Sequence, residues 1–209
     1  MEVILHPAYF GSIASVSKMV KASNLWFEKH DNYEKQTYRN RMDVYGANGM
    51  LPLTIPVSYT QKERKLFSEV KIANTYNWQS SHWKSLESAY KTSPFFEYYE
   101  DELRPLYTKP FEYLMEFNIA CLESLMTCLQ HELDYEWTST FKKDYSNTSI
   151  LDARQFIQRK SIKTNFNLDS YTQVFQNKHG FIKNLSVLDL LFNEGPNSLD
   201  YLLAQPNEA

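Results

Sequence analysis

Residues 1–27 read MEVILHPAYFGSIASVSKMVKASNLWF, and their pattern predicts how the fold begins. Residues 3–5 form a short apolar strand, and residues 24–27 form a second one. Between them, after Gly11 and Ser12, apolar residues recur at the three- to four-residue spacing of a helix. A strand, a helix and a second strand in this order usually begin a parallel sheet, whose ligand crevice lies at the carboxyl ends of its strands.

The composition indicates a single domain that covers residues 1–209. Hydrophobic residues make up 43% of the chain, which at this length is enough to bury a core. The net charge of −3 argues against a general nucleic-acid binder, since such proteins usually carry a basic surface. The chain starts without a secretory signal, and no stretch approaches the roughly 20 apolar residues of a membrane span. Cys121 and Cys128 lie two helical turns apart, too far for a disulfide, so we expect a cytoplasmic protein.

The later segments predict an α/β fold. It consists of a mostly parallel sheet of Rossmann-like type, a hairpin insertion around residues 38–57, and a helical central and C-terminal part. We expect Ser186 to cap a C-terminal helix, with Asp189 in the position of a capping box, and another short helix to begin at about Asp169. Further strands are expected at residues 53–57, 70–73, 135–138 and 150–154, and further helices at residues 77–93, 95–107 and 111–133.

The cluster Tyr38-Arg39-Asn40-Arg41 is the most informative polar feature of the sequence. In an extended segment Arg39 and Arg41 point to the same face, where two guanidinium groups suit a phosphate or a carboxylate. Asn40 would then orient a hydroxyl or carbonyl group of the ligand. In the alternative interpretation both arginines are solvated and pair with Glu28, Asp31 or Glu34.

The loop after the first strand is the second candidate for the site. His6, Tyr9 and the beginning of the helix at Gly11-Ser12 would face the crevice, and helix N-termini attract anions. The arrangement faintly resembles nucleotidyl-transferring α/β enzymes, which carry a histidine pair on this loop and helix. The second histidine is missing here, since Ser12 and Ile13 stand near its place. In the structural alternative, His6 only ends the strand and is held by backbone hydrogen bonds.

Two further pairs of residues are weaker candidates. Trp78 and His82 lie one helical turn apart, and a neutral histidine can act as a general base near pH 7. In the structural alternative, the two residues only form part of the core and its rim. Asp152 and Arg154 alternate on an expected strand, with Lys160 shortly after, and either extend a polar pocket or form a structural ion pair. No cluster has the spacing of a zinc site and no glycine-rich phosphate loop is present, so the sequence indicates no metal ligands and no particular cofactor.

Six blocks of sequence, in order along nearly the whole chain, carry a resemblance to a known family. They are HPAYFGS (6–12), NYEKQTYRNR (32–41), LTIPV (53–57), WQSSHWKSLESAYKTSPFFEYY (78–99), LDARQFIQRK (151–160) and FIKNLSVLDLLFNEGP (181–196). With these blocks the chain resembles the WbqC-like protein family. It departs from the family pattern at Arg159 and Lys183, which replace prolines, and at His6, where many members carry another polar residue.

The resemblance implies a transferase in surface-polysaccharide (O-antigen) biosynthesis, which moves an acyl or aminoacyl group such as glycine onto an amino sugar. We expect the sugar to be a nucleotide-linked small molecule. The alternatives are a non-catalytic protein that binds or presents a sugar nucleotide, and an enzyme similar to nucleotidyltransferases. The expected proton acceptor is His82 or, in second place, His6. The expected substrate-binding residues are Tyr9, Lys35, Arg39, Asn40, Arg41, Trp78, Asp152, Arg154 and Lys160.

Overall fold

The computed structural model describes residues 1–59, 64–159 and 167–206. The strands are β1 (Glu2–Leu5), β2 (Asn24–Phe27), β3 (Arg41–Gly46), β4 (Gly49–Thr54), β5 (Val57–Ser58), β6 (Lys71–Ile72), β7 (Glu136–Trp137) and β8 (Ile150–Asp152). The helices are α1 (Ile13–Val20), α2 (Trp78–Tyr90), α3 (Phe96–Leu103), α4 (Leu114–Leu129), α5 (Gln176–His179), α6 (Val187–Glu194) and α7 (Ser198–Ala204).

A parallel sheet of four strands, in the order β7-β2-β1-β8, organises the fold. All three neighbouring pairs are parallel, and Val3 of β1 stands beside Leu25 of β2 and Leu151 of β8. The central strand β1 carries three consecutive buried apolar residues, as is typical of a strand covered on both faces. The predicted mixed α/β fold with a parallel sheet is therefore confirmed.

The predicted hairpin is present as the antiparallel pair β3 and β4, but it begins later than expected. Residues 35–40, which precede it, form turns, and the amide of Asn40 donates a hydrogen bond to the carbonyl of Thr37. The prediction of an extended segment around Arg39 is therefore wrong, because local turn hydrogen bonds replace the pairing that a strand would need. Arg41 is the first residue of β3.

The helices of the central part are joined by aromatic contacts in the core. Trp83 of α2 packs against Phe96 of α3 with ring centroids 5.8 Å apart, and Trp78 of α2 packs edge-on against Phe117 of α4 at 5.2 Å. Both cysteines lie in α4, buried and free of disulfide bonds. None of the helices in the described part of the chain combines the length and apolar character needed to cross a bilayer.

The C-terminal part is held by a buried carboxylate. Ser186 caps α6 as predicted, because its side chain accepts a hydrogen bond from the amide of Leu188. The predicted capping box is wrong, since the side chain of Asp189 instead accepts hydrogen bonds from Tyr90, Tyr171 and Gln173. The helix predicted from about Asp169 is also wrong: residues 167–175 form no helix, and only the single turn α5 follows. Tyr171 and Gln173 are not helical, and both side chains donate hydrogen bonds to the carboxylate of Asp189.

Candidate functional site

Polar side chains gather at the carboxyl edge of the parallel sheet. His6 follows β1, Glu28 follows β2, Thr138 follows β7, and Asp152 is the last residue of β8. Each of the four strands therefore delivers a polar residue to the edge where open α/β sheets bind their ligands. An open crevice of ≈ 260 Å³ lies there, lined by His6, Asp31, Glu34, Arg39, Phe141, Asp152, Arg154, Gln155, Ile157 and Gln158.

Arg39, Asp31 and His6 form the floor of the crevice. The Nη2 of Arg39 donates a hydrogen bond of 2.8 Å to Oδ2 of Asp31 and lies 3.0 Å from Nε2 of His6. The same carboxylate oxygen lies 3.2 Å from Nε2 of His6. Arg39 is only 1% exposed, yet its Nε and Nη1 have no hydrogen-bond partner among the described residues. The Nη1 lies 4.0 Å from Oε2 of Glu34, at the rim.

The protonation states of this cluster follow from burial and from the neighbouring charges. Burial lowers the pKa of His6 to about 4, and the positive charge of Arg39 acts in the same direction. Burial raises the pKa of Asp31, but its contacts with His6 and Arg39 outweigh this effect and leave the pKa below its usual value. At neutral pH the imidazole is therefore uncharged, and the carboxylate beside it is ionised.

Arg154 is fixed in the wall of the crevice. Its Nε and Nη2 donate to the two carboxylate oxygens of Asp152 at 2.8 Å and 2.6 Å, and its Nη1 donates to the carbonyl of Lys142 at 2.7 Å. The guanidinium also stacks against two rings, with its carbon 5.4 Å from the centroid of Phe141 and 5.0 Å from that of Tyr145. This bidentate and stacked geometry suits arginine and would not be reproduced by lysine.

The buried carboxylate of Glu28 lies next to Arg154 of the crevice wall. Glu28 is fully buried, and its Oε1 accepts hydrogen bonds from the amide of His30 at 2.7 Å and from Oγ1 of Thr138 at 2.9 Å. Its other oxygen lies 3.7 Å from Nη1 of Arg154. The carboxylate of Glu28 thus links the ends of β2 and β7 to the ion pair of Asp152 and Arg154 at the end of β8.

A second group of polar residues lies around Tyr33, outside the lining of the crevice. Lys35 lies with its Nζ 5.1 Å from the ring centroid of Tyr59, which packs edge-on against Tyr33 at 5.0 Å. Burial raises the pKa of Tyr33, and the charges of Arg39 and Arg41 oppose that rise, so both guanidinium groups act on this hydroxyl. The Nε of Arg41 donates to a threonine of β4 across the hairpin. Of Lys35, Arg39 and Arg41, only Arg39 lines the crevice.

Comparison with known proteins places the chain in a family. The model of the WbqC-like protein family matches residues 6–164 and 145–201. The chain belongs to the WbqC-like protein family. An uncharacterized protein of Mycobacterium tuberculosis, Rv1507c, is 27% identical over 221 residues, which cover 93% of this chain and 91% of that protein. No solved structure matches the chain.

Tyr9, Trp78 and His82 of this WbqC-like protein lie together in the core and do not line the crevice. The hydroxyl of Tyr9 forms hydrogen bonds of 3.0 Å with Nδ1 of His82 and 2.9 Å with the hydroxyl of Tyr107. Trp78 packs edge-on against the imidazole at 5.2 Å. Burial lowers the pKa of His82 to about 4. These contacts agree with the structural alternative for the pair Trp78 and His82. Asn40 is also engaged, since its Nδ2 donates to a backbone carbonyl 2.9 Å away.

The backbone amides at the N-terminus of α1 are already hydrogen-bonded within this WbqC-like protein. The amide of Ile13 donates to the carbonyl of Leu185 at 3.0 Å, and the amide of Ala14 donates to Oδ1 of Asn184 at 2.8 Å. Ser12 caps the following amide with its side chain. The prediction that this terminus offers free amides to an anion is therefore wrong, because the C-terminal FIKNLSVLDLLFNEGP block already binds them.

The WbqC-like chain contains crevice residues that sequence reasoning missed or undervalued. Asp31 and Glu34 were expected only as partners of solvated arginines; Arg39 does pair with Asp31, but as a buried group. A usable signal existed for Asp31, which follows the end of β2 by four residues at the ligand-binding edge. No pattern marked Phe141. Lys160 lies outside the described residues. Within the described ranges, no group of three or more His, Cys, Asp or Glu side chains is arranged to hold a metal ion.

The two buried histidines predict how the stability of this WbqC-like protein depends on pH. His6 and His82 each have a pKa of about 4 in the folded chain, against about 6.5 in the unfolded chain. Between these values the unfolded state binds more protons, so the free energy of unfolding falls as pH drops from 6.5 to 4, by up to about 3 kcal/mol per histidine. Urea unfolding of the parent and of His82→Gln at several pH values measures this dependence. The free energy of unfolding should fall less steeply with falling pH in the variant than in the parent. Identical slopes in this window would contradict the assignment.

Proposed function

We propose that this chain is a transferase of surface-polysaccharide (O-antigen) biosynthesis, built on a sheet of Rossmann-like type, which moves an acyl or aminoacyl group onto the amine of a nucleotide-linked amino sugar. One observation carries the proposal, namely the charge of the crevice. Its lining among the described residues includes three carboxylates, Asp31, Glu34 and Asp152, against two guanidinium groups, and its histidine is uncharged at neutral pH. A net negative crevice favours the ammonium form of an amine and disfavours an anion.

The phosphates of the substrate are assigned to the group around Tyr33. Inside the crevice the guanidinium groups of Arg39 and Arg154 are already paired with carboxylates, so neither is free to clamp a diphosphate. Lys35 and Arg41 carry positive charge beside Tyr33, and neither has a carboxylate within ion-pair distance in the described part of the chain. The amine end of the substrate would then lie in the crevice, with the linked phosphates at its edge.

The chemistry assigned to the crevice is direct attack of the amine on an activated acyl donor, such as a thioester or an aminoacyl ester. The bound ammonium first gives up one proton to solvent, since only the neutral amine carries the lone pair that attacks. The nitrogen then forms a bond to the carbonyl carbon, the bond from that carbon to sulfur or oxygen breaks, and the leaving group departs with the electron pair as a thiolate or alkoxide, which takes up a proton. The nitrogen must lose a second proton in this step. We assign its acceptance to His6, which is unprotonated at neutral pH and is held in place by Asp31.

A second candidate function is binding of the sugar nucleotide without chemistry. One observation favours it: the described lining residues include no serine, threonine or cysteine that would serve as a covalent nucleophile. Direct attack by the amine needs no such residue, so turnover distinguishes the two functions. The closed N-terminus of α1 removes the anion site on which a nucleotidyltransferase-like mechanism would have relied.

Binding of a matched pair of ligands tests the charge argument. A nucleoside-diphosphate-linked 2-amino sugar should bind about tenfold or more tightly than the same compound with a hydroxyl in place of the amine, because charged hydrogen bonds form only with the former. Glu34→Gln removes one rim charge, 4.0 Å from Nη1 of Arg39, but keeps the closer pair of Arg39 with Asp31, and should reduce this preference in calorimetric titrations. Glu102→Gln, an exposed substitution in α3, is the control and should leave it unchanged. Equal affinity of the parent for both ligands would contradict the proposal.

A further inference from the structure

Phe141 is a half-exposed aromatic side chain in the lining of the crevice. It lines the crevice, yet 47% of it remains exposed to solvent. A ligand that covers this ring removes apolar surface from water, which is favourable. The ring therefore offers a contact surface that the described residues leave uncovered.

The ring of Phe141 is held from one side by a fixed cation. The guanidinium of Arg154 lies 5.4 Å from the ring centroid, and this guanidinium is itself fixed by both oxygens of Asp152 and by backbone carbonyls. The ring centroid of Tyr145 lies 5.0 Å from the carbon of the same guanidinium. Phe141 thus belongs to a cluster of two aromatic rings and one cation, and it is the half-exposed ring that lines the crevice.

We propose that Phe141 is the platform of a subsite for a pyranose ring. The C–H groups of one sugar face would pack on the open side of the ring, while the partly exposed carboxylate of Asp152 accepts hydrogen bonds from a hydroxyl or ammonium group of the same sugar. An apolar ring and a carboxylate that both contact Arg154 match a pyranose, which is apolar on its face and polar at its edge. This inference rests on the proposed function, because it takes the amino sugar as the ligand.

The test uses the two halves of the substrate separately. Free glucosamine and a nucleoside diphosphate are each titrated by NMR into the parent, Phe141→Ala, Phe141→Leu and Phe141→Trp. We expect Phe141→Ala to weaken glucosamine binding about five- to tenfold and to leave the nucleoside diphosphate unchanged. Phe141→Leu keeps apolar bulk over Arg154 without a flat surface and should also bind weakly, whereas Phe141→Trp should restore binding. Tyr98→Ala, at a 68% exposed position of α3, is the matched control.

The outcomes separate this inference from the proposed function. If the parent binds glucosamine and Phe141→Ala binds it equally well, the platform is overturned while the amino-sugar function stands. If Phe141→Ala weakens only the nucleoside diphosphate, the ring stacks on the base and the pyranose subsite is overturned. If the parent fails to bind glucosamine at millimolar concentrations, both the proposed function and the platform fall.

Discussion

Asp189→Ala is expected to lower the free energy of unfolding by about 3–5 kcal/mol, the largest loss that we predict for a single substitution. The carboxylate is fully buried, and it accepts hydrogen bonds of 2.8 Å from the hydroxyl of Tyr90 and from Nε2 of Gln173, and a third bond from Tyr171. Alanine would open a cavity and leave the hydroxyls of Tyr90 and Tyr171 without this acceptor in the core, while Gln173 would keep the carbonyl of Ile182 as an acceptor at 3.0 Å. It would also remove the hydrogen bonds that link α6 to Tyr90 of α2 and to the segment before α5.

Equilibrium unfolding in urea measures this loss directly. Asp189→Asn keeps the shape and one acceptor oxygen, so its loss should be smaller than that of the alanine variant. Asp200→Ala, at an exposed position in α7, removes the same functional group from the surface and should change stability by less than about 0.5 kcal/mol. A loss below about 1 kcal/mol for Asp189→Ala would show that the buried network contributes little.

His6→Gln is expected to lower kcat about 10²- to 10⁴-fold, because glutamine keeps a polar side chain but cannot accept the proton of the attacking amine. The KM for the amine acceptor should change little, since Asp31, Glu34 and Asp152 still line the crevice. His82→Gln is the matched comparison. Both histidines are buried with pKa values lowered to about 4, but only His6 lines the crevice, so His82→Gln should leave kcat within a few-fold of the parent. Equal loss in both variants would contradict the assignment of the base.

The local elements were largely predictable because each has its own pattern. The strand, helix and strand at residues 1–27, the late strand at residues 135–138 and the cap at Ser186 all appear as expected. Apart from the turn around Arg39, the errors fall where residues distant in sequence take up the hydrogen-bonding groups. Asp189 fits a capping box by spacing, yet Tyr90 lies 99 residues away in sequence and binds its carboxylate. No local spacing encodes such a contact.

The candidate site was predictable in part for the same reason. The rule that ligands bind at the carboxyl ends of parallel strands led to His6, and a polar alternation led to Asp152 and Arg154; all three line the crevice. His82 was a candidate only through its neighbour Trp78, and that local pair occurs equally in a core. Phe141 lies between two short strands in a segment without periodicity, so its place beside Arg154 emerges only from the folded chain.

The most direct test of the central claim, that this crevice acylates the amine of a nucleotide-linked amino sugar, is mass spectrometry of the reaction product. The parent protein is incubated with a nucleoside-diphosphate-linked 2-amino sugar and a panel of acetyl, propionyl and glycyl thioesters. We expect the sugar nucleotide to gain the mass of one acyl group on its nitrogen, and His6→Gln to slow that gain by at least about 10²-fold. If the sugar nucleotide binds but gains no acyl group with any donor, the transferase function is wrong and a binding protein remains.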